Sequence, residues 1–435
     1  MAGDSKEVAR AHLADAGVEE LPADWDVVTL GDLFTEDRGI AVGVMYPGDH
    51  DPDGVPLIKA GDLNGSIINP QPDFRISRDK HHEYRRTALE GGELLMTLVG
   101  NVGQCAVVPP RMAGWNTARA VAVMRLADSS DTHFVQQCLL SRPLQHLMDV
   151  WCNTTVQATL NLKEIRQLPL PWPPKQSRDA IAAFGKALDD KIECNRRMNA
   201  TLEAMARALF QSWFVDFDPV RAKLDGRTPA YLDPATAALF PGRLENSPLG
   251  HIPKGWEVST IGEFALNHDG QRIPVKESER VPGPFPYYGA SGIVDYVSDS
   301  IFNGEYLLVA EDGENLRTRN TPVAFLATGR FWVNNHAHVL SGSDVGVTRF
   351  LMFVLQSADI NAYLTGSTIP KLSQGNLNKI MFVKPPDPLL TAFGDSISGM
   401  FDRIHVNQRE SRTLAALRDA LLPRLLSGEL RVAGG

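Results

Sequence analysis

Between Ile181 and Asp218 a stripe of positions returns at alternating intervals of four and three: Leu188, Ile192, Asn195, Asn199, Leu202, Ala206, Leu209 and Trp213. Two positions in seven on one stripe make the seam of a coiled coil, where a helix faces a partner helix. The spacing predicts one long helix. Pro173 and Pro174 precede it, Ser177 can cap it, Asp179 sits in its first turn and Pro219 can stop it. At about 1.5 Å per residue such a helix is roughly 50 Å long, which suits a spacer. A long helix packed inside one large domain is the alternative. Asn on two seam positions costs stability but fixes register, because a wrong alignment leaves a buried amide unpaired.

The same spacing occurs again near the C-terminus, at Met400, Ile404, Asn407, Ser411, Leu414, Arg418, Leu421 and Leu425. Aligning Asn195 with Asn407 sets Leu202 on Leu414, Leu209 on Leu421 and Trp213 on Leu425. Asp387-Pro388 is a good start for this second helix and Gly428 a good end. Pro423 should kink or shorten its last turn. Arg418 is out of place on an apolar seam.

Each helix follows a β-rich stretch, and the two stretches begin alike. Leu21-Pro22-Ala23-Asp24-Trp25-Asp26-Val27 is matched by Ile252-Pro253-Lys254-Gly255-Trp256-Glu257-Val258. Trp25 and Trp256 read as core anchors. Short strands with Gly and Pro turns follow. The first copy has them at 55–58, 94–99, 104–108 and 120–126; the second at 306–310, 323–326 and 337–340. Trp115 is set opposite Trp332. Helices at 134–148 and 350–362 correspond, and each copy leaves through a Pro-rich exit, Pro169 to Pro174 and Pro385 to Pro388. The expected fold class is α+β: two β-rich domains separated by two long antiparallel coiled-coil helices, a pseudo-twofold tandem repeat. The boundaries are an N-terminal extension at 1–20, a first domain at 21–174, a helix at 175–218, a Pro-rich connector at 219–251, a second domain at 252–386 and a helix at 387–432. Apart from a brief helix near 235–240, the connector reads as extended.

Composition narrows the class without naming a function. At 435 residues, 43% hydrophobic and 22% charged, the chain has room for two to four domains. It contains no apolar run near 18 residues, so no membrane span is expected, and the polar N-terminus lacks a signal-peptide core. Cys105, Cys138, Cys152 and Cys194 form no CxxC pair and read as free thiols of a cytoplasmic protein. The net charge of −9 speaks against wholesale polyanion binding but leaves room for a local basic face.

Catalytic motifs are missing: no phosphate loop and no GxGxxG after a strand. Asp189 and Lys191 have carboxylate-x-Lys spacing but lie mid-helix. His336 and His338, two apart on an expected strand, would face one way as metal ligands do. The first copy has Arg119 and Val121 there, so a polar face toward nucleic acid is the preferred reading and no metal site is expected.

Two unlike modules held apart by a spacer suit a target with two unlike halves, and duplex DNA is the natural one. The stretch 74–86 carries Arg75, Arg78, Lys80, Arg85 and Arg86, with His81 and His82. Such cations neutralise phosphates, and Arg can reach guanine edges. Lys59 and Arg119 extend this candidate DNA-binding set. Thr154, Thr155 and Gln157, followed by Lys163, form a polar loop. Ser367, Thr368 and Lys371 form its counterpart. The Gly-flanked turn with Tyr287, Tyr288 and Ser291, readable as a contact loop or as a packed hairpin, and the residues Asn335, His336 and His338 complete the second copy's candidates.

Several motifs in order make the family recognisable: Trp256-Glu257-Val258 through Ile261-Gly262-Glu263, Tyr287-Tyr288-Gly289-Ala290-Ser291-Gly292, Gln211-Ser212-Trp213-Phe214-Val215-Asp216-Phe217-Asp218-Pro219, and Leu421-Leu422-Pro423-Arg424-Leu425. Together they resemble the specificity (S) subunit of type I restriction-modification systems, over residues 21 to 432. The resemblance implies a non-catalytic DNA reader whose two target recognition domains each read half of a split sequence. It also implies helices that dock two modification (methyltransferase) subunits, with restriction/translocase subunits completing the complex. S-adenosylmethionine, ATP and Mg would belong to those partners, so no cofactor is expected here. Two other readings stand beside it: a metal-dependent hydrolase using His336 and His338, and a protein scaffold indifferent to DNA.

Overall fold

The computed structural model describes residues 2–37, 39–152 and 158–431. It is an α+β chain that divides into two compact units, residues 1–197 with 407–435, and residues 198–406. The division falls inside two long helices, Lys175–Phe210 and Asp387–Leu426.

In the first unit the strand Asp26–Thr29 pairs antiparallel with the exit strand Pro169–Trp172, which closes the β-rich part at its neck. Inside lie a four-stranded antiparallel sheet, ordered Ile40–Val42, Val121–Met124, Leu94–Thr97, Cys105–Val107, and a three-stranded sheet around Val55–Ile58. Alternate residues of Val121–Met124 serve two cores, Ala122 and Met124 one, Val121 and Val123 the other; a strand buried on both faces reads as a continuous apolar run. The helix Thr132–Leu140 covers the sheet and reaches the long helix. It comes so close at Gly185 that a Cβ there would lie 2.4 Å from Gln137 Cδ. Trp25 is buried with Ile181, Leu425 and Leu426 in one core. The N-terminal helix Ala2–Asp15 joins that core through Ala9 and Leu13, so the extension is docked.

Within this unit the two helix segments run antiparallel. Asp189 meets Arg418 and, further along, Asn195 meets Ser411. Asn195 and Asn407 are fully buried. The Asn195 amide Nδ2 lies 2.8 Å from Glu410 Oε2, 3.3 Å from Ser411 Oγ and 3.5 Å from the Asn407 carbonyl. Leu188, Ile192, Leu414 and Leu421 are half-buried and Leu425 is buried.

The second unit repeats the closure, Glu257–Thr260 against Met381–Lys384. Its sheet has six strands, in the order Leu266–Asn267, Ala337–Ser341, Phe302–Ala310, Ala324–Val333, Pro282–Gly289, Gly292–Val297. The helix Val345–Ser357 packs on the second long helix, with Gly346 against Gly394 at backbone distance: a Cβ on Gly346 would lie 3.0 Å from Gly394 Cα. Ala206, Phe210 and Trp213 of the first long helix share a core with Phe393, Phe401 and Ile404 of the second. Leu202 and Leu209 are half-buried against it, and Asn199 is half-buried on the same stripe.

The structure corrects several expectations. The first helix starts at Lys175, so Ser177 lies inside it. It ends in a π-turn at Gln211–Val215, and Phe217, with φ of 55°, breaks the direction. Pro219 then opens a new helix, Asp218–Leu224, because Pro is suited to a first turn. The connector is not extended: Val220 and Phe240 are buried in the second unit's core, and Leu244–Ser247 pairs with Gly250–Pro253. The single helix expected at 134–148 is two, Thr132–Leu140 and Arg142–Trp151, with Pro143 in the second's first turn.

Candidate nucleic-acid interface

The two units share one backbone crossing, built from the same bonds. In the first, Leu160 N donates to Leu98 O and Gly100 N to Ala158 O; in the second, Leu372 N donates to Glu311 O and Gly313 N to Pro370 O. Both glycines have positive φ, 79° and 109°. The next residues are helix starts in both, Asn161 before Leu162–Gln167 and Ser373 before Gln374–Leu377. The crossing thus equates Leu98 with Glu311 and Thr159 with Lys371.

A second equivalence corrects the sequence alignment. Leu57 pairs in parallel with Asn116, and Tyr287 pairs in parallel with Trp332. Asn116, not Trp115, therefore holds the place of Trp332. The shift equates Arg119 with Asn335 and Ala120 with His336.

Side chains at the crossing differ sharply. In the first unit a groove of ≈590 Å³ is lined by Val42, Met45, Ala60, Leu98, Val99 and Leu162, with Arg119 on its wall. In the second, charge fills the place of Leu98. Glu311 takes Arg272 Nη1 at 2.9 Å and Lys371 Nζ at 3.2 Å. Burial pushes the Glu311 carboxyl up, but Arg272, His338 and Lys371 outweigh it and hold it below its ordinary range. Asp269 behaves alike: burial raises it, and His338, the Val339 amide and Arg272 bring it lower. His336 Nδ1 lies 2.8 Å from Asp312 Oδ2.

The remaining candidates fall into three groups. Among these candidates, the exposed cations of the first unit are Arg78, Arg85, Arg86, Arg119 and Lys163. Others are already engaged: Lys59 with Asp73 at 2.9 Å, Lys80 with Glu83 at 2.7 Å, and Arg75, whose Nη1 donates to Gly54 O at 2.9 Å. In the second unit Ser291, Asn335, His336, Ser367, Thr368 and Lys371 are exposed. Thr154, Thr155 and Gln157 lie outside the described residues.

Three candidates are not surface groups. Tyr287 is 1% exposed in a central strand, its hydroxyl taking the Val275 amide at 3.0 Å. Tyr288 is 8% exposed beside Phe331. His338 is 1% exposed, with Nδ1 2.6 Å from Asp269 Oδ2 and Nε2 2.8 Å from Leu372 O. Both ring nitrogens are committed, and His336 sits on a turn outside the strand, so the pair does not face one way. Among the described residues no group of three or more His, Cys, Asp or Glu could hold a metal ion. The hydrolase reading is not favoured. Cys105 and Cys138 are buried thiols pushed up by desolvation.

Sequence reasoning missed Asp269, Arg272 and Glu311, which are scattered along the chain and converge only through strand pairing. It also missed Met45 and Tyr46, 40% and 71% exposed. Their signal was a large apolar pair beside Gly43 and Gly48 in a loop.

The family described as the type I restriction modification DNA specificity domain matches residues 22–204 and 253–388, together more than half of the chain. The MjaIX type I restriction enzyme specificity subunit of Methanocaldococcus jannaschii is 22% identical over 96% of both chains. The HindI specificity subunit of Haemophilus influenzae is 26% identical over 62% of this chain and 71% of its own. A solved S subunit of a type I restriction-modification system from M. genitalium is 15% identical, with a TM-score of 0.48 over 92% of this chain and 96% of its own. No described helix is long and apolar enough to cross a membrane.

Proposed function

Since this chain belongs to the type I restriction modification DNA specificity family, we propose that it reads a bipartite duplex target, one half-site per unit. It has no chemistry of its own in this reading. It docks modification subunits along its helices, and these bring S-adenosylmethionine; restriction subunits add ATP and Mg chemistry. The observation that carries the reading is the shared crossing with exchanged side chains, Leu98 and Thr159 in one unit, Glu311 and Lys371 in the other. One scaffold with two surfaces fits two different half-sites. The exposed cations at Arg78, Arg85, Arg86 and Lys163 supply phosphate contacts. Ser367, Thr368 and Lys371 are assigned to the same surfaces, and Thr154, Thr155 and Gln157 keep the DNA-contact role their hydrogen-bonding side chains suggest.

Helix docking is supported by incomplete burial. Two helices alone leave seam residues such as Leu188 and Leu414 half-buried, and Met205 and Leu417 are 51% and 42% exposed. A partner helix would cover them. The test is an electrophoretic shift series with the modification subunit present. Preference for duplexes carrying one split sequence supports the reading; equal affinity for every duplex ends it.

A further inference from the structure

The two candidate surfaces share a turn whose outer residue differs. Arg119-Ala120 joins the strand Asn116–Thr117 to Val121–Met124, and Asn335-His336 joins Ala324–Val333 to Ala337–Ser341. The same two bonds anchor each turn. Ala118 N donates to Ile58 O, as Asn334 N does to Tyr288 O; Leu98 N donates to Ala120 O, as Glu311 N does to His336 O. The strand residues that flank each turn, Thr117 and Val121 in one unit and Val333 and Ala337 in the other, are buried, so each turn is a rigid mount rather than a loose loop. Arg119 and Asn335 are exposed, and among the described residues neither side chain is engaged by a hydrogen bond or ion pair. Three neighbouring polar groups are paired within the protein: Lys59 with Asp73, Lys371 with Glu311 and His336 with Asp312.

Two planar, multidentate side chains, both unengaged among the described residues, stand at one place in a duplicated frame. Arg presents two parallel donors, the complement of guanine N7 and O6. Asn presents a donor and an acceptor, the complement of adenine N6 and N7. Lys or Ser at these places would suit phosphate contact equally well; this pair separates purines. The apolar wall of the first groove, Met45, Val99 and Leu162, would exclude water beside Arg119 and accept a neighbouring thymine methyl.

Resting on the half-site reading above, we propose that Arg119 reads a guanine in the half-site of the first unit and that Asn335 reads an adenine in the half-site of the second. Both are specificity-determining residues, and each acts on one position of its own half-site.

The test maps methylated positions in genomic DNA after expression of the full chain with its modification subunit. Three forms are compared: the unaltered chain, Arg119→Ala and Asn335→Ala. In the unaltered chain one half-site requires a guanine and the other an adenine at the positions concerned. Arg119→Ala tolerates other bases at that guanine, with discrimination there falling roughly tenfold or more, and leaves the second half-site intact. Asn335→Ala does the reverse. Arg119→Lys, which keeps the charge but loses the fork, still relaxes the guanine. An unchanged motif overturns the proposal. So does relaxation of the same half-site by both changes. So does a uniform loss over all sites with a shallower salt dependence, the mark of a phosphate contact. Methylation with no sequence preference in the unaltered chain would instead overturn the half-site reading beneath it.

Discussion

Arg418 Nη1 lies 2.7 Å from Asp189 Oδ1 although 229 residues separate them in sequence. The other oxygen of Asp189 takes Gln137 Nε2 at 3.1 Å. One carboxylate therefore joins both long helices and the helix Thr132–Leu140. Burial disfavours the Arg418 cation, but Asp189 and Asp419 more than compensate and raise its pKa. A charged residue on an apolar seam is thus accounted for by its opposite number.

Asp189→Ala leaves Arg418 half-buried without that acceptor. The expected cost is about 1–3 kcal/mol of stability, read from denaturant unfolding. Asp189→Leu combined with Arg418→Leu should recover most of it. If the single change costs nothing, the carboxylate does not organise this junction.

The carboxylates Asp269 and Glu311 set an acid limit for the second unit. Their folded pKa values lie below the ordinary 3.8 and 4.5. The sign follows from linkage: a depressed folded pKa gives stability that is present above the unfolded value and lost as pH falls through the folded one. Melting temperature should hold from pH 7 to about 5 and fall below about 4.5. Glu311→Gln should be less stable at neutral pH and flatter in acid. A melting temperature that rose on acidification would contradict this.

Much of the architecture was legible from periodicity. Asn195 and Asn407 stood out because a polar residue on an apolar stripe has few explanations, and both are buried where the stripe placed them. Trp25 and Trp256 were legible as anchors for the same reason, large apolar residues after a Pro turn. The strand Val55–Ile58 falls on the expected residues because turn chemistry bounds it on both sides. Tyr287 and Tyr288 are ambiguous from sequence because a Gly-flanked aromatic pair looks the same in a surface turn and in a packed hairpin, and the structure packs them. Trp115 and Trp332 were set opposite each other by identity, while ladder register, which no local pattern carries, placed Asn116 there. The connector hid its packing because prolines suggest extension, whereas Pro219 and Pro234 each open a helix. Glu311, Arg272 and Asp269 could not be grouped before the sheet order was known.

The long helices act as a ruler in the proposed function. One heptad added to each, at matching places beside Asn195 and Asn407, keeps the seam in phase and lengthens the pair by about 10 Å. The gap tolerated between half-sites should grow by about three base pairs, with the half-sites unchanged. Methylation mapping reads both. An altered base preference with the old gap would remove the helices from the role of spacer.

Asn195→Leu removes the amide that reaches Glu410 and Ser411. Stability should change by about 1 kcal/mol or less in either direction, because apolar packing offsets lost hydrogen bonds. Alignment should loosen: a cysteine pair engineered at Ile192 and Leu414 would give a single crosslinked species in the unaltered background and several in the Leu variant. One species in both would mean that the amide does not set register.

The central claim is that one chain carries two independent readers. Its most direct measurement is the methylated motif of a chimaera whose residues 25–150 come from another specificity subunit, assembled with the same modification subunit. One half-site should change while the other half-site and the gap stay as they were. A motif that keeps both halves, or changes both, would contradict the claim.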